Sequence, residues 1–266
     1  MIAAPAHSYA DDRNGNFPSD ILAVGNSYVF ASIQKFSEQS RFSYNNNPGR
    51  FDKKYTSEAV TIRRGVFENV DIAVSGIYFS DYTTKRAIFN GPSATAHTLE
   101  GWGNPAFNIS YGLINDKKNP FSLKLSVSAS PNTSGNSSGY ISPYMTFGYK
   151  LNDVSRLHAR AALDYATDAN YANAQGVRFG GQYDFNSFFT FEMNAEFKNI
   201  NSVGMSKSYY INSFGFDVIY KAADNFYIAP SFTNGWRSAL TSKDNVASYK
   251  ASSELRSYAL AVKYLF

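Results

Sequence analysis

Cysteine is absent from this chain of 266 residues, and histidine occurs only three times. No aliphatic run exceeds about four residues, as at Ile21 to Val24. Each shortage excludes something. Without cysteine there is no disulfide framework and no thiolate site, which suits a chain that passes through an oxidising periplasm. Three scattered histidines cannot furnish a tetrahedral metal site, and the loop carboxylates lack the spacing of a calcium loop. No glycine-rich phosphate loop is present, so neither a metal nor a cofactor is expected. A spanning helix needs about 20 apolar residues, and none is available. The net charge of +4 is spread along the chain with no lysine- or arginine-rich run, which excludes nucleic acid as a partner.

Aromatics, in contrast, are abundant, with 20 Tyr and 22 Phe, although mean hydropathy is only −0.33. Their arrangement explains the combination. Apolar and polar residues alternate with period two along the chain, and no helical period of comparable length competes. Phe121, Leu123, Leu125, Val127 and Ala129 face one way, with Ser122, Lys124, Ser126, Ser128 and Ser130 opposite. Phe189, Phe191, Met193, Ala195 and Phe197 alternate with Thr190, Glu192, Asn194, Glu196 and Lys198. Leu157, Ala159, Ala161, Leu163 and Tyr165 alternate with Arg156, His158, Arg160, Ala162 and Asp164. So many charges cannot occupy a dry core. A barrel in a bilayer accommodates them, with the apolar row on lipid and the polar row on a wet lumen.

The connections fall into two kinds. Short turns rich in Asn, Asp and Ser lie at 67–70, 115–119, 152–155, 186–187 and 222–225. Longer polar stretches lie at 37–53, 81–102, 131–139, 166–174, 199–207 and 234–253. Their alternation predicts an all-β, transmembrane, antiparallel up-and-down barrel of about 12 strands, with short periplasmic turns and long extracellular loops. Strand 1 (24–36) and strand 11 (225–236) carry the weakest patterns, and Pro230 interrupts the latter. Residues 1–10 are expected to be a residual export signal or a disordered N-terminus, and 11–266 a single barrel.

The ending Leu255-Arg-Ser-Tyr-Ala-Leu-Ala-Val-Lys-Tyr-Leu-Phe266 resembles the closing strand of bacterial outer-membrane barrels. In such strands a terminal Phe after alternating aromatics is the signal read by the assembly machinery, a role that falls here to Tyr264 and Phe266. The order of segments further resembles a twelve-stranded family of outer-membrane transporters named for the meta-pathway of phenol degradation. Glu68-Asn-Val-Asp-Ile-Ala-Val-Ser-Gly-Ile-Tyr78 is similar to its short turn and following strand. Gly101-Trp-Gly-Asn-Pro-Ala-Phe-Asn-Ile-Ser-Tyr111 is similar to another element, with Asn104 where Asp is usual. The resemblance implies passage of small molecules across the bacterial outer membrane, and a monomer is expected. Its partners would be outer-membrane lipids and lipopolysaccharide, the assembly machinery, and small solutes that extend to hydrophobic or aromatic compounds.

Twelve strands about 4.8 Å apart and tilted about 40° close at a backbone radius of about 12 Å, which admits small solutes only. Parity places Arg63, Lys124, Arg156, His158, Arg160 and Arg178 inward, together with Asp164, Asp184, Glu192, Glu196 and Asp217. Arg178 and Glu192 should meet on a cross-strand diagonal. Lys124, Arg156 and Arg160 are expected to form a basic ladder facing the acids, making a constriction that selects by charge. Structural pairing of the same residues is the competing expectation. Phe89, Leu99, Trp102 and Trp236, with Leu240, are lid candidates in the long loops. Passive diffusion of small solutes is the expected function. The alternatives are a loop-mediated receptor or adhesin, a structural protein without transport, and an outer-membrane lipase or protease. For the enzymes, His158 has lumen parity with no His-x-Ser element after it, and His97 lies in a loop.

Overall fold

The computed structural model describes residues 20–89, 95–114, 119–133 and 138–266, with the backbone alone at 95–99 and Ser253. The export-signal expectation for residues 1–10 therefore lies outside the described residues. Among these described residues fifteen strands follow in order. They are β1 (Ser27–Tyr44), β2 (Asn47–Phe67), β3 (Val70–Ile88), β4 (Thr95–Trp102), β5 (Ala106–Ile114), β6 (Phe121–Ser130), β7 (Tyr140–Lys150) and β8 (Ser155–Ala166). Then come β9 (Asn173–Asp184), β10 (Phe189–Asn201), β11 (Tyr209–Ala223), β12 (Phe226–Arg237), β13 (Leu240–Thr241), β14 (Ala247–Tyr249) and β15 (Ser252–Leu265). Both β4 and β5 run antiparallel to β3, forming one crossing broken at Gly103, Asn104 and Pro105. The short β13 and β14 belong to the last extracellular connection. Twelve crossings remain, and the sheet closes where β1 pairs with β15 from Tyr28↔Leu265 to Gln39↔Glu254.

Side-chain exposure follows the alternation. On β6, Phe121, Leu125 and Val127 are exposed outward while Lys124 and Ser126 are buried inward. The apolar side of β6 covers roughly 25 Å of membrane when its ten residues are tilted by about 40°. Aromatics such as Phe121 and Tyr149 (ring centroids 4.7 Å apart) or Tyr264 and Phe266 (6.3 Å) pack together at the outward strand ends.

The first three strands depart from the expected loops. β1, β2 and β3 hold 18, 21 and 19 residues, about twice what a bilayer needs. Residues 37–53, expected as a loop, are continuous hairpin closed by Asn45 and Asn46 at φ 46° and 64°. Two successive left-handed residues are what a two-residue hairpin turn requires, and Asn tolerates them. The outward row here is polar (Lys35, Ser37, Gln39, Arg41), because this part of the hairpin stands above the lipid. Most of the expected 81–102 loop is also strand. Asp81, at φ 54°, forms a bulge opposite Tyr55, after which the inward positions change from odd (Ile77, Phe79) to even (Tyr82, Thr84, Arg86). That phase change erases period-two reading across the segment.

Prolines fit by facing a gap. Pro230 pairs with Leu260 of β15, and the ladder to β11 is missing between Asp217↔Ser231 and Tyr220↔Ile228. Pro143 does the same on β7, retaining Val127 and leaving a gap toward β8. A residue without N–H costs only one of its two ladders.

Candidate functional site

The barrel interior contains three successive zones. At the periplasmic mouth, the segment before β1 turns inward. Val24 bridges Gly65 in parallel, Gly25 N–H donates to Gly65 O at 3.0 Å, and Gly65 N–H donates to Asn26 O at 3.0 Å. Gly65 is required by this approach, since a Cβ there would lie 2.2 Å from Ala23 O. Leu22, 6% exposed, packs among Tyr28, Phe30, Ile219, Ala229 and Ala261. Its N–H donates to Asp71 Oδ2 at 3.3 Å. Asp71 is gripped by Arg63 through Nε (2.9 Å) and a terminal nitrogen (2.6 Å), and Arg63 also donates to Asp20 O at 3.2 Å. Lys263, at this mouth, rests 4.3 Å from the Tyr28 ring centroid. The N-terminal segment is thus an internal wedge, which the weak pattern at 24–36 did not disclose.

The central zone holds most of the expected lumen residues. Glu192, fully buried, accepts from Arg178 at 3.2 Å and Gln182 at 3.0 Å, and lies 3.4 Å from His158 Nε2. Arg178 thus meets Glu192, but not on the expected diagonal: in register it faces Glu196, and its side chain reaches past Gly180 to Glu192, which faces Gln182. His158 occupies the space above Gly180, where an added Cβ would lie 2.4 Å from the imidazole. Asn194 donates to buried Asp217 at 3.3 Å, Lys198 pairs with Asp164 at 2.7 Å, and Arg156 pairs with Asp184 at 3.1 Å. Arg160 lies 3.9 Å over the Tyr144 ring.

The expected ladder takes another form. Lys124, Thr146, Arg160, Arg178 and Glu196 occupy one continuous row across β6 to β10. Arg178 replaces Arg156 in that row, while Arg156 is engaged by Asp184 on the neighbouring strand. Like charges in direct register repel, and Arg160 and Arg178 diverge to an aromatic ring and an acid. The acids do not stand on a separate wall but interleave with the cations.

Above the membrane the interior becomes aromatic. Phe36 and Tyr55 stack at 4.8 Å, and Tyr55 and Tyr82 at 5.7 Å, with Phe79 edge-on to Tyr55. Lys53 Nζ is 5.6–5.7 Å from three of these rings. Higher up, Phe42, Phe51 and Tyr249 cluster, with Arg86 over Phe42 and Tyr249 and Arg237 over Tyr249. Arg237 also grips Glu38 at 2.7 Å. Burial pushes the Tyr249 phenol above its ordinary range, against the pull of Arg86 and Arg237. None of these residues was a candidate: Phe42, Phe51, Lys53, Tyr82, Arg86, Arg237 and Tyr249 fall in stretches taken for loops, and Phe36, Tyr55 and Phe79 lie at their margins. The alternation Phe51, Lys53, Tyr55 was the available signal.

Of the lid candidates, Trp102 and Trp236 stand in strands and face outward. Trp102 is 72% exposed and packs edge-on to Tyr78, while Trp236 packs on Phe214. Neither lies in a loop, because the strands run farther than the hydropathy pattern. Phe89 is exposed just past β3, with its N–H donated to Pro48 O. The side chains of Leu99 and His97 lie outside the described ones. Leu240 packs on Ala172, Ile200 and Tyr209 and so joins the last extracellular connection to the barrel rim.

Gly180→Ala probes the His158 contact, the added Cβ lying 2.4 Å from the imidazole and 2.9 Å from Met193 O. The added methyl must displace the imidazole from Glu192, and ion selectivity of the reconstituted protein should change without loss of the barrel. Unaltered reversal potentials would show that His158 is immaterial to permeation.

No protein-family model matches the sequence, and no curated protein matches it. Solved structures do match. The COG4313 outer membrane channel from Pseudomonas putida F1 superposes with a TM-score of 0.62 at 10% identity, over 93% of this chain and 98% of that one. The NanC porin gives 0.53 at 12% identity and the KdgM porin 0.52 at 12%, each over 88% of this chain and 98% of the other. At such identities the likeness is one of fold, and the chain has the closed, twelve-stranded antiparallel architecture of outer-membrane channels.

Proposed function

We propose that this protein is an outer-membrane channel through which small solutes diffuse, selected by the charges of its interior. The observation that carries the reading is the distribution of side chains. Apolar residues face out over a membrane-wide band, while Lys124, His158, Arg178, Glu192 and Asp217 are buried inside the same strands. Charges kept on one parity at this density are the mark of a polar lumen. Cations and acids nearly balance at membrane level, which narrows the bore and filters by dipole and charge more than by net sign. The architecture shared with solved outer-membrane channels supports the same reading. The inward position of His158, away from the lipid face, favours transport over hydrolysis.

The expected partners follow from position. Lys35, Lys54 and Arg256 stand exposed and outward just above Ile33, Val60 and Leu260, at the level of outer-leaflet phosphates. They suit lipopolysaccharide on a monomeric barrel. Tyr264 and Phe266 supply the assembly signal. The likeness to the phenol-degradation transporters extends the solute range to hydrophobic and aromatic compounds.

Planar-bilayer recording and liposome swelling test the reading together. Discrete conductance steps and uptake of small solutes are expected, and Arg160→Ala should shift the reversal potential toward cations. A protein that neither conducts nor admits solutes would sink the proposal.

A further inference from the structure

The outer wall of the barrel is basic on one side only. Lys35 and Arg41 of β1, Arg50 and Lys54 of β2, Lys85 of β3 and Arg256 of β15 all point outward in the extracellular half. Among the described residues, no strand from β5 to β12 turns a Lys or Arg outward there. Toward their extracellular ends those strands expose Tyr165, Phe197, Tyr210 and Trp236 instead. Cations that served only to anchor a barrel in the interface would be spread around it. A partner on one side accounts for the asymmetry.

Register brings three of these cations together. Ser37 is level with Lys54 on one side and Arg256 on the other, which sets the two cations about 10 Å apart across it. Lys35 lies one outward position below Ser37, level with Thr56 and Tyr258. It is therefore a diagonal neighbour of both cations, at about 7–8 Å. Side chains of this length can converge on one tetrahedral anion over the Ser37 hydroxyl. Among the described residues none of the three is in an ion pair. Of the nearby acids, Asp52 is held by Arg50 at 2.9 Å, while Glu58 lies one row below Lys35 and Glu254 one row above Arg256. Directly beneath, Ile33, Val60, Tyr258 and Leu260 turn exposed apolar faces to the membrane. A ligand that satisfies both levels carries phosphate at its head and several acyl chains below.

We propose that Lys35, Lys54 and Arg256 form a phosphate clamp for one lipopolysaccharide molecule. A phosphate of the lipid A disaccharide would sit over Ser37, with acyl chains along Ile33, Val60 and Leu260. Lys35 belongs to β1 and Arg256 to β15, so the bound phosphate would bridge the first and last strands and hold the closing seam. The assignment rests on the outer-membrane placement of the proposed channel and gives its lipid partner a defined site, although binding itself does not require conduction.

Bis-phosphorylated lipid A is the probe. Native mass spectrometry of the full-length protein in detergent should show one saturable lipid A adduct. Lipid A stripped of its phosphates, and phosphatidylglycerol, should each bind at least tenfold more weakly. Lys35→Gln, Lys54→Gln and Arg256→Gln should each weaken lipid A about threefold, the effect of losing one exposed charge pair, and the triple variant at least tenfold. Arg64→Gln, which removes an outward charge at the periplasmic end of β2, should leave the affinity unchanged. Lipid A should also raise the temperature at which the parent loses its heat-modifiable gel mobility, and the triple variant should lack that rise. The same mobility without lipid verifies that each variant remains a closed barrel.

Equal binding of the phosphate-free lipid, an equal loss in Arg64→Gln, or parental affinity in the triple variant would overturn the clamp. Bilayer recording separates the two proposals. Lipid A binding without conductance supports the clamp and removes the channel, whereas conductance without lipid A binding removes the clamp and leaves the channel.

Discussion

Gly65→Val is expected to raise single-channel conductance several-fold, because it forces the N-terminal wedge out of the periplasmic mouth. The side chain at 65 would occupy space held by the Ala23 and Leu22 carbonyls, which lie 2.2 and 2.6 Å from an added Cβ. Backbone cannot yield by rotating a side chain, so the segment must leave or the strand must distort. What opposes its departure is limited. Burying Leu22 contributes about 2 kcal/mol, equivalent to a roughly thirtyfold preference for the seated state. The hydrogen bonds to Asp71 and from Arg63 add to it. Leu22→Ser removes the apolar anchor while leaving Gly65 intact, and should move conductance in the same direction by a smaller step. The measurement is planar-bilayer recording of both variants beside the unaltered chain. Equal conductance in all three would mean that the wedge does not obstruct the permeation path.

Glu192→Leu carries the largest expected cost in stability. The carboxylate is fully buried and receives Arg178, Gln182 and His158. Removing it strands a buried guanidinium with its principal acid gone, a loss of about 3–5 kcal/mol. The midpoint of urea unfolding in detergent or lipid should fall accordingly. A double variant, Glu192→Leu with Arg178→Met, should recover much of the loss, because a pair replaced by apolar groups leaves no uncompensated charge. In any protein that folds, Glu192→Leu should shift selectivity toward anions. A single variant as stable as the parent would show that water solvates Arg178 freely and that the central zone is wider than the contacts imply.

How much of this was legible beforehand depended on where the solvent changed. From β5 to β11, and again in β15, the alternation is between residues that seek lipid and residues that seek water, so period two was visible. The inward placement of Lys124, His158, Arg178, Glu192 and Asp217 followed from it. In the upper halves of β1, β2 and β3 both faces meet water or aromatic packing. Lys35, Ser37, Gln39 and Arg41 on one face read as loop, although every residue from Ser27 to Tyr44 pairs with β2. At Asp81 the bulge changes the phase of the alternation, and no local pattern survives such a change. The aromatic zone around Lys53, Arg86 and Tyr249 was lost for that reason. The wedge at Leu22 was lost for another, since a short stretch with one leucine gives no period at all.

The sequence by itself determined the class of structure: a closed barrel of about twelve strands, lipid outside and charge within. It did so because alternation in hydropathy is a local property, written two residues at a time and read against a bilayer that supplies the other phase. Only the tertiary structure decided which cation meets which acid, that Arg178 and not Arg156 joins Lys124 and Arg160 in one row, and that the segment before β1 turns back into the periplasmic mouth. Those outcomes depend on register between strands, on bulges, and on glycines such as Gly65 and Gly180 that leave room for a partner distant in sequence. Register is set by the whole closed sheet, and no single strand contains it.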